Sequence, residues 1–277
     1  MPAVRAAILI LFAFASTPAR PQGAMDLMDD PVLAPGQNAI EEDSLDKPAE
    51  PRKFRVAVGG GVGIGPNFPG SDRYRAGLVP VVFAAYGPVF LSFGQVAVRA
   101  YRDSHWRVSG FVALSGGRKE SDDARLQGLG DIDRTTRAGV RVIYRDGRFA
   151  TLGQIATDVA GQKQGTLARI DLLARFRPAE RTILFAGPGL TWADREYTQS
   201  YFGVTAEQSA RSGLPEFQAG SGLNSVRLST GAIHRFERRW FAMATLSASR
   251  LQGDAGHSPI TETRSQYLFF SSVAYVF

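Results

Sequence analysis

Cysteine is missing from all 277 residues, so a disulfide framework, a thiolate metal site and a cysteine nucleophile are excluded together. Histidine is almost as scarce, with only His105, His234 and His257. Beyond residue 52 no window reaches eighteen consecutive apolar residues, which leaves no transmembrane helix there. Basic runs and basic helical stripes are lacking as well. The net charge of +6 is dispersed at one or two cations per segment, unlike the concentrated field that holds a phosphate backbone, so nucleic acid is not an expected partner. The charge is instead divided by position. Residues 26–51 hold eight acids against Lys47 alone, whereas from Arg52 onward 29 Lys and Arg stand against 18 acids.

The N-terminus has the three parts of a secretory signal: Arg5, a ten-residue apolar core over residues 6–15 (AAILILFAFA), then small residues. That core is too short to span a bilayer. A signal peptide over residues 1–19 is expected, with cleavage between 15 and 24, for example after Ala13-Phe-Ala15 or Thr17-Pro-Ala19. Residues 20–51 are rich in Pro and acids and show no apolar periodicity. Such a stretch cannot bury enough surface to offset its ordering entropy, so it is expected to be a disordered periplasmic linker. The folded domain is expected over residues 52–277.

Within that domain the recurring pattern is alternation with period two, in segments of about ten to fourteen residues. In residues 166–177, Ala168, Ile170, Leu172, Ala174 and Phe176 share one face; Arg169, Asp171, Leu173, Arg175 and Arg177 share the other. The same division occurs in 137–145, where Arg137, Arg141 and Arg145 alternate with Ala138, Val140, Val142 and Tyr144. It recurs in 226–236 with Arg227 and Arg235, and in 106–114, where Arg107, Ser109 and Phe111 oppose Trp106, Val108, Val112 and Leu114. A helix would wrap these arginines around its whole surface. One face suits lipid and the other water, and Trp106, Tyr144, Phe176, Phe236 and Trp240 fall near segment ends, as an interfacial girdle requires.

The chain ends on an alternating aromatic strand. Stepping back in twos from Phe277 gives Tyr275, Val273, Ser271, Phe269 and Tyr267, a pattern similar to the signal by which outer-membrane barrels are recognised for insertion. The barrel-assembly machinery is therefore an expected partner through Tyr267, Phe269, Val273, Tyr275 and Phe277. An antiparallel transmembrane β-barrel in the bacterial outer membrane follows as the fold class, with lipid and lipopolysaccharide as its surroundings. Eleven segments are countable: 54–65, 78–86, 88–101, 105–117, 136–145, 148–160, 165–177, 181–193, 222–235, 239–251 and 264–277. Single-chain bacterial barrels have even counts. Because Gly87, Pro88 and Gly94 interrupt the region 78–101, twelve strands are favoured, with 88–101 split in two; ten is the alternative. Tight turns at 145–148, 177–180 and 236–239 are expected on the periplasmic side, and the connections 118–135, 194–221 and 252–263 outside.

Three short motifs, in order, resemble one family. Gly65-Pro-Asn-Phe-Pro-Gly-Ser71 followed by Leu78-Val-Pro80 resembles the opening of the MipA/OmpV proteins, the MltA-interacting outer-membrane family, with Phe68 where tyrosine is common. Gly117-Arg118 with Leu126-Gln-Gly-Leu-Gly-Asp-Ile-Asp133 is similar to a loop motif of that family, and Tyr201-Phe-Gly-Val204 to a later aromatic one. The resemblance spans roughly residues 56–277. It implies a non-enzymatic scaffold that links a membrane-bound lytic transglycosylase to a penicillin-binding murein synthase in peptidoglycan assembly, and it carries over no binding residues.

No cofactor or metal is expected. The acid pairs Asp122/Asp123 and Asp131/Asp133 lack the ligand and glycine pattern of a calcium loop. Gly59-Gly60-Gly61-Val-Gly63-Ile-Gly65 lacks the Lys-Ser/Thr ending of a phosphate loop and is expected to serve bending, or close packing over a tyrosine or arginine. A lipid-modifying enzyme would need serine and histidine in contact, yet His234 and Ser229 point to opposite faces of one strand. The inward parity collects Arg99, Arg107, Arg137, Arg141, Arg145, Arg169, Arg175, Arg227 and Arg235 against few acids, chiefly Asp171 and Asp158. A positive lumen is expected: either a small anion-preferring channel, or a closed interior in which the arginines pair with loop acids.

Overall fold

A computed structural model of the chain describes residues 54–92, 94–236 and 239–277. The expected signal peptide and acidic linker lie outside the described residues. Twelve strands form one closed antiparallel barrel in which each strand pairs with its sequence neighbours. They are β1 (Arg55–Pro66), β2 (Tyr74–Tyr86), β3 (Val89–Ser92), β4 (Gln95–Arg102), β5 (Trp106–Ser115), β6 (Thr135–Asp146), β7 (Phe149–Asp158), β8 (Thr166–Ala179), β9 (Thr182–Ala193), β10 (Gly222–Arg235), β11 (Trp240–Leu251) and β12 (Ser265–Val276). Closure is made by β1 on β12, in register from Ala57 opposite Val276 to Ile64 opposite Phe269. In a bilayer only such closure, or a helix, satisfies every backbone group without water.

The region 88–101 is indeed two strands, β3 and β4, separated by a turn at Gly94, so the count is twelve. These two strands are short. β2 pairs with β1 along its whole length but with β3 only from Phe83 to Tyr86, so the wall steps down between β2 and β5. Leu78, outward on the unflanked part of β2, is 80% exposed. Pro80 lies on that same stretch, where a missing N–H is tolerated.

The connections at one end are tight, such as Gly147-Arg148 between Asp146 and Phe149. Those at the other end are long: 116–134, 194–221 and 252–264, with 67–73 and 159–165 beside them. By the usual asymmetry of these barrels the tight turns are periplasmic and the long connections extracellular. The long ones hold three short helices: α1 (Arg195–Phe202), α2 (Ala206–Ser212) and α3 (Gly253–His257).

Outward faces carry Val58, Val62, Leu78, Val112, Val140, Ile170, Leu172, Leu190, Leu228 and Leu246, all exposed. Trp106 against Tyr144 (ring centroids 4.7 Å apart) and Trp240 against Tyr275 (5.1 Å) mark the periplasmic end of that band. Tyr267, Phe269, Val273 and Phe277 are exposed on the outward face of β12.

Candidate functional site

The interior is divided in two by chemistry. On β5 to β10 the inward parity presents Arg107, Arg137, Arg141, Asp171 and Arg227, all buried, and the half-buried Arg169 and Arg175; Arg99 of β4 is half-buried beside them. Each buried cation is engaged. Arg141 donates through Nε to Gln154 Oε1 (2.9 Å) and through Nη2 to Gln95 Oε1 (3.1 Å), and its guanidinium lies 5.0 Å from the centroid of the Phe111 ring. Arg137 donates to the carbonyl oxygens of Gly165 and Gln164 (both 2.9 Å) and sits 5.5 Å from the Tyr197 ring centroid, which ties the barrel to two extracellular connections. Arg227 of β10 pairs with Asp171 of β8 over the intervening strand β9. Gly189 makes room for that pair, since a Cβ there would meet both side chains.

A second part of the interior, mainly on β1–β4, β11 and β12 and reaching Phe111 of β5 and Ala156 of β7, is apolar, which the arginine-rich parity did not announce. Ala57, Val79, Val81, Phe83, Phe90, Ala97, Phe111, Ala156, Phe241, Met243, Phe270 and Ala274 form one buried cluster, with Val81 and Phe270 at 0% exposure. The signal was present in the sequence: Phe111, Ile143 and Leu173 share the inward parity of the arginines. The glycine run of β1 serves this packing. A Cβ on Gly61 would lie 2.5 Å from the Ser271 carbonyl oxygen and 3.2 Å from Phe270, and one on Gly59 would meet the β12 backbone. Close strand approach over a phenylalanine therefore replaces the expected tyrosine or arginine. Gly139 under Phe111 and Gly231 under Phe185 repeat the arrangement.

The extracellular mouth is covered by a lid, and the three resemblance motifs meet in it. Phe68, Leu126, Leu129, Val204 and Ile260, from four different connections, form a buried cluster with Leu214 and Phe217 packed against it. Tyr201, Phe202, Leu251 and Ala255 form a second. Polar bonds fix the same segments. Asp123 accepts from Arg73 (2.8 Å) and Asn67 (2.9 Å); Gly70 N donates to Gln266 Oε1 (3.1 Å), and Gln266 donates back to the Ser71 carbonyl (3.2 Å). Arg118, 4% exposed, donates to the Tyr201 carbonyl (2.8 Å), and burial pushes its guanidinium down to about 10. Burial alone would raise the Asp123 carboxyl. Hydrogen bonds from the Arg125 amide and Asn67, the nearby Arg73 charge and a bond from Ser71 outweigh it and hold the group below the ordinary value. Glycine is required at Gly128, whose φ is +83° and where a Cβ would lie 2.7 Å from the Arg211 backbone. Sequence motifs showed these segments individually; only folding brings them together.

The remaining candidates are dispersed. His105 bonds Ser104 (2.9 Å), His234 bonds Thr182 (2.9 Å), and His257 bonds the Gly253 carbonyl (2.7 Å), while Ser229 faces inward toward Ser247. Asp122 and Asp131 accept from the Lys119 and Glu120 amides (both 2.8 Å). Among the described residues no three His, Asp or Glu side chains gather as metal ligands. The arrangement is that of a packed, capped cylinder whose two ends differ.

MltA-interacting protein of Escherichia coli K12 is 26% identical over 163 residues, which is 57% of this chain and 63% of that protein, so the match spans less than two thirds of the relative's length. Outer membrane protein OmpV of Vibrio cholerae is 30% identical over 89 residues, 32% of this chain and 34% of OmpV. Among solved structures, OprB of Pseudomonas putida aligns over 87% of this chain and 97% of its own, at 7% identity and a TM-score of 0.43. The model of the family described as MltA-interacting protein MipA matches residues 58–277, and the chain belongs to that family of outer-membrane β-barrels.

Proposed function

We propose that this barrel is a non-enzymatic outer-membrane scaffold for peptidoglycan enzymes, linking a lytic transglycosylase to a murein synthase through its periplasmic rim. Family membership over residues 58–277 carries the reading, together with a relative named for interacting with MltA. The geometry is consistent with it. Side chains fill the apolar part of the interior and the loops bind one another over the mouth, whereas the exposed Arg148, Arg181 and Arg239 lie at the periplasmic turns. Cations at a water-facing rim steer and orient a partner that carries acidic groups.

The test is detergent extraction of outer membranes followed by affinity isolation of the full-length protein. A lytic transglycosylase and a penicillin-binding synthase should co-isolate. Arg148→Glu with Arg181→Glu should reduce their recovery while the barrel keeps its heat-dependent gel mobility. Absence of both enzymes, combined with an anion-selective single-channel conductance, would replace the scaffold with a solute channel.

A further inference from the structure

The outward faces of β11 and β12 change character in a single step at their extracellular ends. Along β11 the outward residues run Ala242, Ala244, Leu246, Ala248 and then Arg250; on β12 the exposed Phe269 and Tyr267 lead to Ser265, which pairs with Arg250. Directly above this point α3 folds back, and Arg250, Gly253, Gly256, His257 and Arg264 line an open cleft of about 210 Å³.

Two arginines and a histidine line the cleft, and no acid does. The Arg250 side chain has no hydrogen bond or ion pair among the described residues. Arg264 donates only through Nε, to the Gly256 carbonyl (2.8 Å), which fixes its stem and leaves both Nη groups for another acceptor. His257 commits Nδ1 to the Gly253 carbonyl (2.7 Å), leaving Nε2 uncommitted. The neighbouring acids are engaged elsewhere: Asp254 accepts from the Gly220 amide (2.6 Å) and Glu262 from the Asp72 amide (3.4 Å). Both arginines are exposed at the cleft, and their planar donor sets match phosphate oxygens in bidentate fashion.

We propose that this cleft binds a phosphate group carried by an outer-leaflet glycolipid such as lipopolysaccharide. The apolar stripe beneath it favours a lipid-borne phosphate over a free ion. Leu246, Phe269 and Tyr267 present exposed surface to acyl chains just below the cations, so one molecule can satisfy both chemistries at the membrane interface. The site lies at the opposite end of the barrel from the rim assigned to murein enzymes and stands independently of that reading.

The full-length protein in detergent, refolded free of lipopolysaccharide, would be titrated with bisphosphorylated lipid A, with the same lipid after enzymatic dephosphorylation, and with inorganic phosphate, following bound lipid by native mass spectrometry. Bisphosphorylated lipid A should bind, and Arg250→Gln with Arg264→Gln should weaken it by about tenfold or more, as expected for losing hydrogen bonds to a charged group. Arg148→Glu, a charge change at the periplasmic end, should leave binding unaltered. Equal binding of the dephosphorylated lipid overturns the proposal, as does an unchanged affinity in the double variant with folded gel mobility. Binding of millimolar inorganic phosphate as tight as that of the lipid would overturn the lipid assignment.

Discussion

Phe269 and Phe270 are adjacent on β12 and identical in chemistry, but one faces lipid and the other the packed interior, so truncating each in turn reads the barrel's parity directly. Phe270 is fully buried against Gly61, Val81 and their neighbours, whereas Phe269 is 38% exposed on the outer face. Phe270→Ala removes the transfer energy of the ring and leaves a cavity that the surrounding strands cannot collapse into, a loss of about 3–5 kcal/mol. Phe269→Ala loses the transfer energy alone, about 1.5–3 kcal/mol, because fluid acyl chains refill the space. The interior variant should therefore be the less stable of the two by about 1–2 kcal/mol, the part of the loss that only a rigid cavity contributes. Equilibrium urea unfolding from lipid vesicles supplies the assay. Trp106, Trp192 and Trp240 are all exposed on the outer surface, so their fluorescence reports passage from lipid to water. Equal losses in the two variants, or a larger loss for Phe269→Ala, would refute the inward packing of the apolar half.

Replacing Asp171 by Asn removes the buried carboxylate that faces Arg227 and should cost up to about 3–5 kcal/mol by the same unfolding measurement, whereas Asp171→Leu with Arg227→Met should cost far less. Asp123 has a carboxyl held below its ordinary value, so its contribution to the lid is complete above the unfolded value near 4 and is lost as pH falls through the lower folded value. Protease resistance of the connection 116–134 should thus survive from pH 7 to 5 and fail only in stronger acid, and Asp123→Asn should abolish that acid step. Gly128→Ala places a Cβ on the Arg211 backbone at a positive φ, so it should expose the same connection to protease while leaving the barrel's unfolding midpoint within about 0.5 kcal/mol of the parent.

Much of the barrel was legible in the sequence because strand alternation is a local property. Arginines spaced by even numbers of residues in 137–145 and 166–177 set the inward parity of β6 and β8, and Gly94 with Pro88 marked the division of 88–101 into β3 and β4. The sequence also pointed to the lid segments through Gly117-Arg118, Phe68 and Tyr201, as motifs without a role. Parity alone could not say what an inward side chain touches. Closure of the barrel by β1 on β12 places Phe270 against the β1 glycines, remote in sequence.

Local alternation, set by covalent geometry and the two-residue period of an extended chain, was thus sufficient to place most strands and their two faces, while the aromatic strand at the C-terminus pointed to the outer membrane. Only the tertiary structure decided that the interior is half apolar and half cationic, that four connections close over the mouth, and that Arg250 and Arg264 share a cleft. The first two depend on which strands and connections become neighbours when the sheet closes on itself, the third on how α3 folds back between β11 and β12, and contacts of this kind carry no periodic signature in the chain.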